Sequence, residues 1–319
     1  MNWLIFALAA PIIYTIVNFT DKYVIEREVP DARSVPIFLA IVQGTVGAIL
    51  WLVNGRITYP LDITLLIMAT GASIVIGTFL LFRALIREET SRIVLWTQLV
   101  PVVILVLSVL ILDEVLTIPQ FVGFVLILSA TVGLSLKREA GVLSFSRTFF
   151  YVLGAVITWS VSDILMKWII VNNPQLEAIQ GDTVNVSVFV SITTYQALGF
   201  AFGGLCFYLA VPPVRHAFNH RLRHTRRLAL GVLFANESIF ILRQFVKTMA
   251  LALGPIALVS VLDSTRIFLG IAVGWVLTQI APTIFRETTT REGLMQKLIF
   301  ASVLFAGLIF IFAFGTGGG

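Results

Sequence analysis

Asp163, Glu237, Arg243, Asp263 and Arg266 stand inside long apolar runs of this chain. An ionised side chain at the centre of a bilayer costs about 2.5–3.5 kcal/mol on insertion scales, so five facing lipid would cost on the order of 12–17 kcal/mol. They must therefore face the interior of a helical bundle, pair, or change protonation state. Ionisable groups at that depth are functional candidates by default. Asp263 and Arg266 are three residues apart, so one helix face can hold both. That spacing has two readings: an intrahelical pair that only neutralises itself, and a pair that a ligand opens.

The stretch FANESIFILRQFVK concentrates further polar groups. Glu237 and Gln244 are seven apart and share one stripe, while Asn236, Arg243 and Lys247 form its neighbour. A helix with that face cannot rest against lipid and should line a cavity. Glu237 is then either a proton carrier coupled to transport or half of a structural pair with a base on another helix. Two more sets share a pattern. Tyr14, Asn18 and Lys22 in the first apolar run match Trp159, Asp163 and Lys167 in the sixth, each an aromatic, a polar residue and a lysine at intervals of four. The lysines either belong to these faces or snorkel to the headgroups. Substrate-binding or coupling roles are accordingly assigned to Glu237, Asp263, Arg266, Asp163, Arg243, Gln244, Asn18 and Trp159.

Other features point away from chemistry. His216, His220 and His224 recur every four residues in the loop VRHAFNHRLRHTRR, but the arginines crowding them repel a cation, so no metal site is expected. No histidine lies within an apolar run, and HExxH, GxSxG, Walker A and GxGxxG motifs are absent, so neither an enzyme nor a cofactor is expected. Pro11 and Pro101 fall inside apolar runs and should kink them. Trp96, one turn from Pro101 with Gln98, reads as an interfacial anchor or a substrate contact.

The elements that must position these residues follow from composition. Of 319 residues, 58% are hydrophobic and 12% charged, against about 45–50% and about 25% in soluble domains. With a mean hydropathy of +0.98, the chain cannot cover itself with polar groups, and lipid must be its outer solvent. Ten runs are long enough to span, at 2–22, 35–53, 62–84, 93–112, 118–136, 149–171, 186–210, 228–251, 255–278 and 296–314. The longest irregular stretches are 172–185 and 279–295, and the glycine-rich tail Gly315–Gly319 should fray. The single cysteine, Cys206, permits no disulfide within the chain. The opening run lacks a basic leader and reads as a retained helix. The net charge of +5 resides in short stretches between the apolar runs, where membrane topology signals lie, so no nucleic-acid partner is expected.

Repetition organises the ten runs. The first and sixth share the pattern above, and QFVGFVLILSATVGL in the fifth matches QKLIFASVLFAGLIF in the tenth. Two five-helix units cross the membrane in opposite senses, so the expectation is an all-α membrane protein with ten transmembrane helices as two inverted five-helix repeats. Binding sites in such folds lie near the midplane at the repeat interface. The charges are lopsided: Ser73, Val100 and Val103 stand in the first copy where Glu237, Asp263 and Arg266 stand in the second.

The sequence resembles the drug/metabolite transporter superfamily, of the ten-helix EamA-like type. The likeness is carried by the opening helix WLIFALAAPIIYTIVNFTDKY, by the acidic turn and glycine-containing helix of LDEVLTIPQFVGFVLILSATVGL, and by the repetition itself. It implies EamA-like repeats over 1–137 and 147–315, and exchange or export of small metabolites by alternating access. The connection APTIFRETTTREG departs from the pattern, being longer and without the compact Asp-Glu turn.

The expected protein is a multi-pass protein of the plasma membrane, a secondary transporter for a small polar, cationic or zwitterionic metabolite. Its partners would be that substrate, the lipid bilayer, and a proton or exchanged solute. The alternative is a non-transporting scaffold or partner subunit, with every midplane charge locked in a pair and no cavity. Loops after odd-numbered runs, counted with Lys297 at the very start of the tenth run, hold fifteen lysines and arginines, while those after even-numbered runs clearly hold only Arg56. The positive-inside rule then places both termini outside, whereas the resemblance implies cytoplasmic termini.

Overall fold

A computed structural model of the protein describes residues 3–23, 34–54, 57–85, 87, 93, 96–135, 147–176, 178–180, 183–222, 227–280 and 291–314. In a bilayer every backbone polar group must be satisfied internally, and the helix does this within one segment. The apolar runs fold accordingly. Helices α1 (Trp3–Tyr23), α2 (Val35–Val53), α3 (Leu61–Leu85), α4 (Leu99–Leu112) and α5 (Ile118–Ser135) form the first half. The second half holds α6 (Arg147–Asn172), α7 (Val186–Ala210), α8 (Pro212–Leu222), α9 (Arg227–Leu253), α10 (Ile256–Asp263), α11 (Arg266–Ile280) and α12 (Arg291–Phe314). Six of these, α1, α2, α3, α6, α7 and α9, are long and apolar enough to cross a membrane, and α4, α5 and Ile299–Phe310 of α12 are shorter apolar segments. Apart from the helices, the stretch before α7 carries a 3-10 turn at Pro174–Leu176 and a two-residue antiparallel ladder, β1 (Ile179–Gln180) with β2 (Thr183–Val184).

The structure departs from the sequence expectations at several points. The ninth run is not one helix. It breaks between Asp263 and Arg266, where Thr265 N–H bonds back only three residues to the Leu262 carbonyl at 3.0 Å. The Ser264 and Thr265 hydroxyls also donate to the carbonyls of Val261 and Leu262, at 2.6 and 2.7 Å, which holds the link in a tightened turn. The histidine-bearing loop is the helix α8, with His216 and His220 exposed on it. Pro101 sits in the first turn of α4, where its missing N–H has no intrahelical partner to lose. Helix α1 runs on through Pro11. Trp96 is buried edge-on against Phe149, with centroids 5.4 Å apart, so it is a packing residue and not an interfacial anchor. The Lys22 side chain, His224, residues 281–290 and the tail Gly315–Gly319 lie outside the described residues.

Large apolar side chains such as Ile5, Val53, Leu110, Ile118 and Phe305 are largely exposed, forming the surface that lipid covers. The interior is organised around α7, the most buried of the six long spans. Helix α7 packs on α2 and α3, α1 on α9, α3 on α6, α4 on α6, α5 on α12, α9 on α2, and α10 on both α1 and α4. At the α3–α7 crossing the backbones nearly touch. A Cβ added at Gly71 would sit 1.9 Å from the Gln196 carbonyl oxygen, and one at Gly199 would sit 2.0 Å from that of Met68. Small residues permit such close approach between membrane helices. Here the crossing places Gln196 beside Thr70.

Candidate functional site

Helix α9 supplies the centre of the site. Glu237, Arg243, Gln244 and Lys247 all point inward and are buried, because a polar side chain on a spanning helix finds partners only within the bundle. Arg243 Nη2 reaches Asp263 Oδ2 at 2.5 Å, and Arg266 Nη1 approaches the same oxygen at 3.5 Å across the helix break. The Asp263–Arg266 pair expected from spacing is therefore part of a three-membered cluster. Tyr14 of α1 joins it: the guanidinium carbons of Arg243 and Arg266 lie 4.5 and 4.6 Å from the Tyr14 ring centroid. These are cation–π distances. One turn along α9, Lys247 Nζ binds Asp163 Oδ2 of α6 at 2.5 Å.

A relay of amides continues from the charges. Arg243 Nη1 donates to Gln244 Oε1. Gln244 Nε2 donates to Gln196 Oε1 at 3.4 Å, and Gln196 Nε2 donates to Thr70 Oγ1 at 3.1 Å. Thr70 in turn donates to the Ile67 carbonyl at 2.7 Å. All the donors run in one direction, from α9 through α7 to α3, so each amide has a defined orientation. Gln43 of α2 donates to Glu237 Oε2 at 2.8 Å, with both residues 3% exposed. Beside the relay lies a narrow cleft of about 10 Å³, room for about one water molecule. Gln43, Thr193, Gln196 and Gln244 provide its polar wall, and Phe200 and Phe240 stand on the apolar side. Two buried polar atoms next to the relay, Arg243 Nε and Asp263 Oδ1, have no hydrogen-bond partner among the described residues.

Asp163, Arg243, Gln244, Asp263 and Arg266 thus converge from α6, α9, α10 and α11, while Glu237 is held by Gln43 of α2. Trp159 is half-buried and donates its indole N–H to the carbonyl of Ile74, a cleft residue, at 3.3 Å. It braces the wall from behind. Asn18 is exposed on α1, away from this cluster. Lys167 does not snorkel. It is buried, pairs with Glu114 from the turn after α4, and donates to the Gly254 carbonyl at 2.5 Å. The other Glu114 oxygen accepts the Ile256 N–H at 2.9 Å, capping α10.

Gln43, Thr70, Thr193 and Gln196 were not singled out by sequence, because a search for charges passes over neutral side chains. Their signal was nonetheless present: an amide or hydroxyl within an apolar run also needs a partner away from lipid.

The sequence profile of the EamA-like transporter family matches residues 1–136. An uncharacterized protein of Methanocaldococcus jannaschii is 33% identical over 141 residues, which make up 42% of this chain and 97% of that protein. A solved crystal structure superposes over 99% of this chain and 98% of its own, with a TM-score of 0.61 at 17% identity, a likeness of fold alone. This chain is a multi-pass membrane protein that belongs to the EamA-like transporter family, within the drug/metabolite transporter superfamily.

Proposed function

We propose that the protein is a secondary transporter that carries a small polar, zwitterionic or cationic metabolite by alternating access, with ten spans arranged as two inverted five-helix units. The observation that carries the substrate class is the pair of unsatisfied buried atoms, Arg243 Nε and Asp263 Oδ1. A buried donor and a buried acceptor left unsatisfied cost about 1–3 kcal/mol each. A ligand with an anionic acceptor and a cationic donor relieves both. The charges support the same reading. Arg243, Lys247 and Arg266 pair with Asp163 and Asp263, and a third buried carboxylate, Glu237, lies on the same helix as Arg243. With Glu237 ionised these six groups sum to zero, so a zwitterion enters without adding net charge to a low-dielectric site.

The two-unit arrangement is supported by the helix pairings. Exchanging α1 with α6, α2 with α7, α3 with α9, α4 with α10 and α11, and α5 with α12 turns the α1–α9 pair into α6–α3, and α3–α7 into α9–α2. The α4–α6 pair becomes α1 with α10 and α11. The pairs α2–α7, α4–α10 and α5–α12 map onto themselves. A relative of about one unit's length is consistent with this. Rocking one unit against the other would open the cleft to alternate sides. Without an ATPase motif, the driving force is an ion gradient or an exchanged solute, and Glu237 is the group placed to carry a proton. The scaffold alternative shares the paired charges but leaves the two unsatisfied atoms without a role.

The test is uptake into proteoliposomes from a panel of radiolabelled amino acids, polyamines and sugars. Saturable uptake of a zwitterion or cation that is lost in Asp263→Asn supports the proposal. Absence of uptake or counterflow for every class, from protein that remains monodisperse, refutes it.

A further inference from the structure

Glu114 stands in the compact acidic turn after α4, and a local backbone feature sets its direction. Asp113 leaves the helix in the left-handed region (φ 52°), which aspartate tolerates. The N–H groups of Asp113 and Glu114 both return to the Ser108 carbonyl, the second at 3.2 Å. The carboxylate of Glu114 thereby reaches the second half of the chain. One oxygen pairs with Lys167 of α6, and the other accepts the Ile256 N–H at 2.9 Å. Lys167 also donates to the Gly254 carbonyl at 2.5 Å. Trp3, at the start of α1, covers the same turn: a Cβ added at Gly254 would sit 2.5 Å from its ring.

This ion pair differs from the others in what it joins. Arg243 with Asp263 and Lys247 with Asp163 each lie within the second half of the chain. Glu114 and Trp3 belong to the first half, whereas Lys167, Gly254 and Ile256 belong to the second. In the two-unit arrangement proposed above, on which this inference rests, pairs within a unit travel with it and contacts between units must break. The contact is also terminal. Trp3, Glu114 and Gly254 lie at helix ends, while Gln244 in the cleft wall lies roughly 13 Å deeper along α9 by the helical rise. Helix α10 spans the interval, with all of its residues buried. It starts at Ile256, held by Glu114, and ends at Asp263 in the charge cluster. A carboxylate at its N-terminus also complements the helix dipole.

We propose that Glu114 and Lys167 are positioning residues of the transport cycle, a latch between the two units that holds this end of the bundle closed. Opening towards this side takes the Glu114 carboxylate away from both Lys167 and the Ile256 N–H, and draws Trp3 off Gly254. Because α10 runs from the latch to Asp263, movement at one end of that helix is felt at the other. The state open at the opposite end keeps the latch intact. Losing a charged hydrogen bond from one of two states shifts their equilibrium roughly tenfold or more.

Labelling rates with a water-soluble maleimide, on the purified full-length chain in micelles, test this. Cys206 is the single cysteine, so Cys206→Ser provides a clean background. One reporter is Ser260→Cys, at a buried position of α10 between the latch and the charge cluster. The other is Leu233→Cys, near the start of α9 at the opposite end, in the apolar cluster with Phe38 and Phe218. Glu114→Gln removes the charge and keeps an oxygen for the Ile256 N–H. It should raise labelling of the Ser260→Cys reporter roughly tenfold or more and lower that of the Leu233→Cys reporter, since alternating access does not open both ends together. Lys167→Met should act in the same direction, and either variant suffices if the other is not monodisperse. An unchanged rate at the first reporter overturns the latch. So does a rise there without a fall at the second, which is what mere loosening of the bundle produces. Labelling needs no substrate, so a failed uptake assay and a failed latch are read separately.

Discussion

Replacing Lys167 by Met removes the ammonium that holds together three elements at one end of the bundle. In the wild type that ammonium pairs with Glu114 and donates to the Gly254 carbonyl, while Glu114 also caps Ile256. The variant leaves the Glu114 carboxylate with one backbone N–H, and the Gly254 carbonyl without this donor. Stranding one member of a buried ion pair costs about 3–5 kcal/mol. The side chain of Glu114 is 21% exposed against 8% for Lys167, so water partly solvates the abandoned charge and the lower end, about 3 kcal/mol, applies. Glu114→Gln in the Lys167→Met background removes the stranded charge yet keeps an oxygen for the Ile256 N–H. The double variant should therefore cost only about 1 kcal/mol, the scale of one lost hydrogen bond. Denaturant titration in mixed micelles, followed by tryptophan fluorescence, measures all four corners of the cycle. A Lys167→Met cost below about 1 kcal/mol, or a double variant less stable than Lys167→Met alone, would show that the pair is solvated and that the reasoning about its burial is wrong.

Four other outcomes are expected. Gly199→Val should lower thermal stability sharply, because its Cβ meets the Met68 carbonyl and neither backbone can give way, at a cost of about 1–3 kcal/mol or more for overpacking. Arg243→Lys should reduce transport at least tenfold, since an ammonium cannot reproduce contacts to Gln244 and Asp263 together with stacking on Tyr14; unchanged uptake in proteoliposomes would count against the site. Glu237→Gln should abolish uptake driven by a pH gradient while sparing solute exchange, because Gln43 keeps a carbonyl to bind but the titrating proton is gone; equal loss of both modes would remove the coupling role. Reporters fused to each terminus should place both outside the cytoplasm, as the charge bias requires, and a cytoplasmic signal from either would overturn that orientation.

The long spans and the inward placement of the charges were legible in the sequence for one reason. The bilayer core is a solvent of fixed thickness that accepts neither bare backbone nor bare charge, so run length and polarity constrain each segment separately. That argument needs no knowledge of neighbours, and it put Glu237, Arg243 and Asp263 inside the bundle, where they are buried. It also overreached wherever a single helix was assumed to settle its own polar groups. Asn18 shares the spacing pattern of Asp163 but faces outward, because the periodicity that aligns residues on one face does not say what that face meets.

Partnership across helices was decided by tertiary structure alone. Lys167 with Glu114, Lys247 with Asp163, and Gln43 with Glu237 are separated by more than fifty residues in the chain, and the last pair by 194. No local rule relates them, since their distances depend on crossings such as the glycine contact between α3 and α7. The break at Ser264 and Thr265 was equally hidden. Both residues can continue a helix or tighten it, and only the demand that Asp263 and Arg266 both meet Arg243 and Tyr14 around that turn distinguishes the two. The sequence by itself determined which groups had to leave the lipid. Packing determined which of them met, because a desolvated charge constrains where it cannot be, while its partner is set by geometry the chain acquires only when the helices are assembled.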